Sequence, residues 1–234
     1  MTQSNEVWKM ILEKTDHTVL TPTAVFEGVG GVKDALRMAI EYGAASMCLA
    51  PSFVEEGVEY ANGRIPICTV VGFPNGYSVT SAKVAETIIA VEKGAREIDM
   101  VINLGHVKAR RFDKVQEEIS EIRGICGKAV LKVIIETCLL SDEEKVKLCR
   151  VVWSAGADFI KTSTGFSTGG ATTADVALMK KTIDEMGGCR LQIKASGGIN
   201  SLDDAKALIG AGAMRLGSSK IISLVRGGGD AGSY

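Results

Sequence analysis

Four times along the chain an amphipathic stretch ends in Gly-Ala and passes directly into a short apolar run: at Gly43-Ala44, Gly94-Ala95, Gly156-Ala157 and Gly212-Ala213. A glycine just past the last helical residue takes the left-handed conformation that ends a helix, so each junction reads as helix, cap, strand. The apolar runs are Ser46 to Leu49, Ile65 to Phe73, Glu97 to Asn103, Ala129 to Thr137, Asp158 to Ser163, Leu191 to Ser196 and Met214 to Gly217, with a weaker one at His17 to Leu20. Helical patterns run between them over about 31–42, 79–93, 112–125, 142–155, 173–186 and 202–210, behind a short N-terminal helix. Ser141 with Glu144 has the spacing of a capping box, and Thr172 with Asp175 and Ser201 with Asp204 are close variants. Strand-helix alternation repeated about eight times in one domain predicts the α/β class and a closed (β/α)8 TIM barrel over 1–226, followed by a flexible Gly-rich tail at 227–234. A doubly wound open sheet is the competing architecture, but no strand here is followed by a G-x-G-x-x-G turn.

Composition excludes several function classes. With 46% hydrophobic and 24% charged residues and only 4 Pro, the chain has the makeup of one globular domain and not of a disordered one. Lys+Arg at 27 against Asp+Glu at 28 gives no global positive field, so neither nucleic acid nor anionic lipid is an expected partner. The most apolar stretch, Ala129 to Leu140, is interrupted by Lys132 and Glu136 and falls short of the roughly 20 residues that span a bilayer. The N-terminus lacks an apolar core with a small-residue cleavage site, which leaves the cytoplasm as the expected location. The six cysteines form no C-x-x-C pair, and most of them, set among apolar neighbours, read as small packing residues, as do Trp8 and Trp153 on helices. With His17 and His106 the only histidines and no clustered ligands, neither a metal nor another cofactor is expected.

Side chains alternate across a strand, and in a barrel one of the two faces points to the filled interior. In the run from Glu97, Ile98, Met100 and Ile102 share one face, which leaves Glu97, Asp99 and Asn103 on the other. Leu131, Val133 and Ile135 likewise oppose Lys132, Ile134 and Glu136, and the next two strands pair Lys161 with Phe159 and Lys194 with Gln192. Four consecutive strands thus send ionisable groups to a common interior. Unpaired buried charges are costly, so the set must pair with itself, line a wet cleft or perform chemistry. A structural ion-pair network is the plain alternative. Asp99, Lys161 and Lys194 are expected near the C-terminal strand ends, where barrel enzymes place their active sites. Two lysines converging there suit Schiff-base chemistry: the attacking amine must be neutral, and both desolvation and a neighbouring ammonium favour that form. Asp99 would move protons between the intermediates.

Gly-rich loops follow three late strands: Thr164 to Gly170, Ser196-Gly197-Gly198, and Gly217-Ser218-Ser219-Lys220. Glycine lets backbone N–H groups approach phosphate oxygens. Each loop alone is a weak signal, because Gly-Gly after a strand is more often just a tight turn. Their order around one rim points to phosphate, which barrels often bind after strands seven and eight.

The segments DHTVLTP (16–22), CTVVGFP (68–74), EIDMVINLG (97–105), LKVIIETCLL (131–140), KTSTGFSTGGAT (161–172), KASGGI (194–199) and RLGSS (215–219) closely resemble those of the deoxyribose-phosphate aldolases, a family of class I, Schiff-base-forming aldolases. The resemblance is nearly full length. It implies reversible cleavage of 2-deoxy-D-ribose 5-phosphate to D-glyceraldehyde 3-phosphate and acetaldehyde, and a homodimer or larger homo-oligomer. By position it makes Lys161 the Schiff-base lysine, Lys194 the lysine that perturbs it and Asp99 the acid/base group. Asp16, Thr18 and Lys132 would line or support the pocket, and Gly165, Gly197, Gly198 and Ser219 would cradle the phosphate.

The sequence departs from the family pattern at Thr21, Ala50, Asn200 and Lys220. Asn200 stands where Arg is usual, and Lys220, in the last phosphate loop, where Ser is usual. The number of cations near the phosphate is thereby kept, but lysine offers a point charge and no bidentate fork. Two further readings stay open: a related Schiff-base aldolase with a different aldehyde or phosphate preference, and a non-catalytic sugar-phosphate binding barrel. Tyr234 reads as part of the mobile tail and not as a group folded over the site.

Overall fold

The computed structural model describes residues 3–188 and 190–227, with side chains from Glu6 onward. The tail expected at 227–234 lies, apart from Gly227, outside the described residues, and Tyr234 with it. Eight strands form: β1 (Thr15–Val19), β2 (Ser46–Leu49), β3 (Ile67–Val71), β4 (Glu97–Val101), β5 (Val130–Ile134), β6 (Phe159–Lys161), β7 (Gln192–Ser196) and β8 (Arg215–Ser218). They pair in parallel and in sequence order, and β8 closes on β1 with Asp16 opposite Gly217. This is the (β/α)8 barrel that the alternation predicts.

Ten α-helices accompany them among the described residues: α1 (Gln3–Leu12), α2 (Val32–Glu41), α3 (Val54–Ala61), α4 (Thr80–Glu92), α5 (Leu104–Lys108), α6 (Phe112–Cys126), α7 (Asp142–Ser154), α8 (Thr173–Glu185), α9 (Leu202–Gly210) and α10 (Ile221–Val225). Periodicity locates the longer ones to within a residue. It misses α3, α5 and α10, which at five to eight residues are too short to display a 3.6-residue period. The four Gly-Ala junctions behave as read, with φ of +68° at Gly43, +96° at Gly94, +79° at Gly156 and +118° at Gly212. Ser141 and Ser201 complete reciprocal capping boxes with Glu144 and Asp204. Thr172 caps Asp175 N–H, but the Asp175 carboxylate turns to Lys145 at 2.6 Å.

The main core lies between the barrel and its helices. Ile98, Met100, Leu131, Val133, Ile160, Ile193 and Leu216 point outward from their strands and are buried there, each stabilising the fold by about 1.5–3 kcal/mol. A second, small apolar cluster of Cys48, Cys68 and Val70, flanked by Leu20 and Phe73, lies on the inward face of the early strands. Trp153, read as a packing residue, is 44% exposed. The inward row is also shorter than alternation suggests, because β4 and β5 stop at Val101 and Ile134. Asn103 caps α5, accepting His106 N–H at 3.4 Å, and Glu136 takes φ +53° and turns to Thr164.

Candidate active site

Seven ionisable side chains meet inside the barrel. Asp99 is at the centre: its Oδ2 accepts from Lys161 Nζ at 2.7 Å and Lys194 Nζ at 2.8 Å, and its Oδ1 accepts from Lys132 Nζ at 2.8 Å. Lys132 also contacts Glu97 at 2.5 Å, Lys194 pairs with Asp16, and Arg215 bridges Asp16 at 2.5 Å and Glu97 at 3.3 Å. Three carboxylates therefore face four cationic side chains. Lys132, Lys194 and Arg215 each contact at least two carboxylates, whereas Lys161 contacts Asp99 alone. Room for Lys194 comes from β8, since a Cβ on Gly217 would lie 3.1 Å from Lys194 Cε.

Dense mutual pairing fixes the protonation states. Burial pushes the Asp99 carboxyl up, but Lys132, Lys161 and Lys194 outweigh it and hold the group well below the usual carboxylate range. Asp16 is likewise held low against its burial by Lys132, Lys194 and Arg215. Burial pulls Lys194 down, yet Asp16 and Asp99 more than reverse this, so Lys194 is a permanent ammonium. Lys132 is raised in the same way by Asp16 and Asp99.

Above this cluster a cavity of about 410 Å³ opens, within the range of roughly 300–1,000 Å³ typical of small-ligand sites. Thr18, Leu20, Thr21, Thr164 to Phe166, Ser196 to Asn200 and Gly217 to Lys220 line it, and Lys161 is the one member of the charged cluster that reaches it. The N–H groups of Gly165, Gly197, Gly198 and Ser219 find no protein acceptor among the described residues, so four donors are uncommitted at one end of the cavity. Gly170 packs so tightly that a Cβ there would lie 2.3 Å from the Gly197 carbonyl oxygen, which ties the loops after β6 and β7 together. Lys220 Nζ donates to Asn200 Oδ1 at 3.0 Å across the rim.

The site residues read from the sequence thus converge, but on two levels. Thr18, Lys161, Gly165, Gly197, Gly198, Ser219 and Lys220 line the cavity, while Asp16, Asp99, Lys132 and Lys194 lie beneath it and are at most 1% exposed. Only Lys161 ends its strand; Asp99 and Lys194 sit at mid-strand, which corrects their expected place at the strand ends. Of the departures, Thr21, Asn200 and Lys220 line the cavity and Ala50 does not. Sequence reading missed Arg215, although alternation sets it on the same face as Gly217; Thr164, Phe166 and Ser196, read only as members of the Gly-rich loops, line the cavity in their own right. Cys48, Cys68 and Asp99 offer ligand atoms within 4.8 Å of one another, as do Asp16, Cys68 and Glu97. Neither set fits a metal ion, because both carboxylates of Asp16 and Asp99 already hold ammonium groups that a divalent cation would have to displace.

A parallel barrel that opens one lysine amine to a cavity, over carboxylates and opposite uncommitted N–H donors, has the equipment of a carbon-carbon lyase working through an imine. The chain belongs to the DeoC/LacD family of aldolases, whose sequence model matches residues 10–219. It is 52% identical over 218 residues to the deoxyribose-phosphate aldolase of Streptococcus pyogenes serotype M28, covering 93% of this chain and 95% of that relative. Among solved structures, the aldolase QR15 superposes with a TM-score of 0.86 at 38% identity over 93% of this chain and 95% of that one. The tetrameric deoxyribose phosphate aldolase of Aeropyrum pernix does so with 0.84 at 28% identity over 96% and 97%. No helix among the described residues is long and apolar enough to cross a membrane.

Proposed function

We propose that the protein reversibly cleaves 2-deoxy-D-ribose 5-phosphate to D-glyceraldehyde 3-phosphate and acetaldehyde, with Lys161 as the Schiff-base residue. The observation that carries this reading is that Lys161, alone in the buried charged cluster, opens to the cavity while its amine stays 2.7 Å from Asp99. Neutral Lys161 attacks C1 of the open-chain aldehyde, and loss of water from the carbinolamine gives a protonated imine. That cation accepts the electron pair of the C2–C3 bond as it breaks, since the products have two and three carbons. Asp99, ionised and central, moves protons to and from these intermediates. Lys194 keeps its charge and perturbs the amine beside it through the carboxylate that they share. The phosphate lies on the N–H groups of Gly165, Gly197, Gly198 and Ser219, with Lys220 at the rim. Thr18 lines the opening, and Asp16 and Lys132 brace Asp99 and Lys194 from below.

Borohydride reduction with acetaldehyde, followed by peptide mass mapping, is expected to place an ethyl group on Lys161. Undiminished turnover in Lys161→Ala rejects the assignment. The hydrogen bond between Lys220 and Asn200 favours a second reading, an altered phosphate preference, which cleavage of 2-deoxyribose with and without its phosphate separates. We also propose a homo-oligomer, as the tetrameric relative suggests, acting in the cytoplasm; light scattering and cell fractionation test the two.

A further inference from the structure

One buried carboxylate, packed behind the cavity-lining residue Thr164, takes no part in the lysine cluster. Glu136 is 3% exposed, and among the described residues it forms no ion pair. Its partners are uncharged: Oε2 accepts the Thr164 hydroxyl at 2.5 Å, both oxygens accept Thr164 N–H at 3.3 Å, and Oε1 accepts the Cys138 thiol at 3.9 Å. Its backbone is left-handed, at φ +53°. A buried carboxylate without a cation and a non-glycine residue in that region both cost free energy, and such features persist where their surroundings over-determine them.

What Glu136 determines is the loop from Thr164 to Gly170. The Thr164 hydroxyl that it holds accepts Phe166 N–H at 3.1 Å, and the Phe166 ring meets Phe73 edge-on, with centroids 5.3 Å apart. Farther along, a Cβ on Gly169 would lie 2.9 Å from Cys138 Cβ, so the loop is clamped between the 136–138 turn and the 196–198 turn. Gly165, with its uncommitted N–H, sits between the two residues that this relay fixes. We infer that Glu136 is a positioning residue that aims the Gly165 N–H at an anion through Thr164, and that it sets affinity for the anionic end of the ligand without touching it. The inference rests on the proposed aldolase site only for what the anion is attached to.

The test measures two quantities on the full chain: the Kd for inorganic phosphate by calorimetry, and the rate of the borohydride-trapped acetaldehyde adduct on Lys161. Glu136→Gln and Thr164→Val are expected to raise the phosphate Kd roughly tenfold, whereas Thr164→Ser, which keeps the hydroxyl, stays within about twofold of wild type. The adduct rate of Glu136→Gln stays within about twofold as well. An unchanged phosphate Kd overturns the inference, and so does wild-type protein that binds no phosphate. An adduct rate that falls as far as phosphate affinity assigns Glu136 to the whole mouth or to the chemistry and also overturns it. Matching behaviour of Thr164→Val and Thr164→Ser removes the relay, and this pair decides the matter if Glu136→Gln does not fold. Wild type that forms no adduct overturns the aldolase reading, while the phosphate measurement still judges Glu136.

Discussion

Lys161 and Lys194 share a single carboxylate oxygen, Asp99 Oδ2, at 2.7 and 2.8 Å. The shared acceptor couples them: each ammonium lowers the value of Asp99 to the other. Because Lys194 also holds Asp16, it keeps its proton, and the interior retains one more cation than carboxylate. Lys194→Met removes that surplus and leaves Lys161 as Asp99's only partner at Oδ2. The acid limb of kcat/KM against pH is then expected to move upward, lowering kcat/KM at fixed pH on that limb at least about tenfold. Rates from pH 5 to 10 check this, with thermal unfolding to show an intact fold. A limb that stays in place removes the role given to Lys194.

Acid stability separates into two windows. Burial pushes the His17 imidazole from 6.5 down to about 4, and the Ser218 backbone, short of a full hydrogen bond, offsets only part of this. The folded state therefore keeps His17 neutral while the unfolded chain takes up a proton, so stability falls as pH drops from 6.5 to 4, by about 3 kcal/mol. Asp16 and Asp99, held below their ordinary values, act in the window beneath: their contribution is complete above about pH 4 and is lost as pH falls toward the folded values. Urea midpoints from pH 7 to 3 should show both losses. His17→Leu is expected to flatten the upper window alone, and an unaltered slope between 6.5 and 4 contradicts the assignment.

The inward polar row was legible because alternation is a backbone property: once Ile98, Met100, Leu131 and Val133 are set against the helices, Asp99 and Lys132 have no other direction to point. Alternation says nothing of where a strand stops, so Asn103 and Glu136 look inward on paper although β4 and β5 end before them. Nor does it give depth. That Lys161 reaches the cavity while Lys194, its direct partner across β6 and β7, stays 1% exposed goes with the room left for Lys194 by the missing side chain at Gly217, which only three dimensions display. The glycine loops were readable as a class, but the contact of Gly170 with Gly197 joins residues 27 apart and leaves no local pattern.

A second buried ion pair supports the barrel from outside. Lys83 Nζ donates to Glu118 Oε1 at 2.7 Å and to the Val101 carbonyl at 2.8 Å, and Glu118 Oε2 accepts Asn103 N–H at 3.1 Å, so α4 and α6 grip the end of β4. Lys83→Met leaves a buried, uncompensated carboxylate and is expected to cost about 3–5 kcal/mol. Lys83→Met with Glu118→Leu relieves the charge but strands Asn103 N–H, a residual penalty of about 1–3 kcal/mol. Urea unfolding of both singles and the double gives the coupling. A double variant no more stable than Lys83→Met shows that the pair's charge is not what matters.

Lys220 makes the ionic character of the rim testable. Its ammonium donates to the neutral Asn200 amide oxygen at 3.0 Å, a partner it can exchange for a phosphate dianion with a gain in charge-assisted bonding. Lys220→Ser is expected to raise KM for 2-deoxyribose 5-phosphate about tenfold, one charge-assisted bond's worth, while kcat holds. Because the ammonium is exposed, its attraction is screened by salt, so wild-type KM should climb between low and physiological ionic strength and climb less in Lys220→Ser. Asn200→Ala removes the competing acceptor and should leave KM equal or lower. Unphosphorylated 2-deoxyribose provides the control, since its KM has no charge for Lys220 to act on. If KM for both sugars rises together in Lys220→Ser, the residue shapes the rim without recognising phosphate.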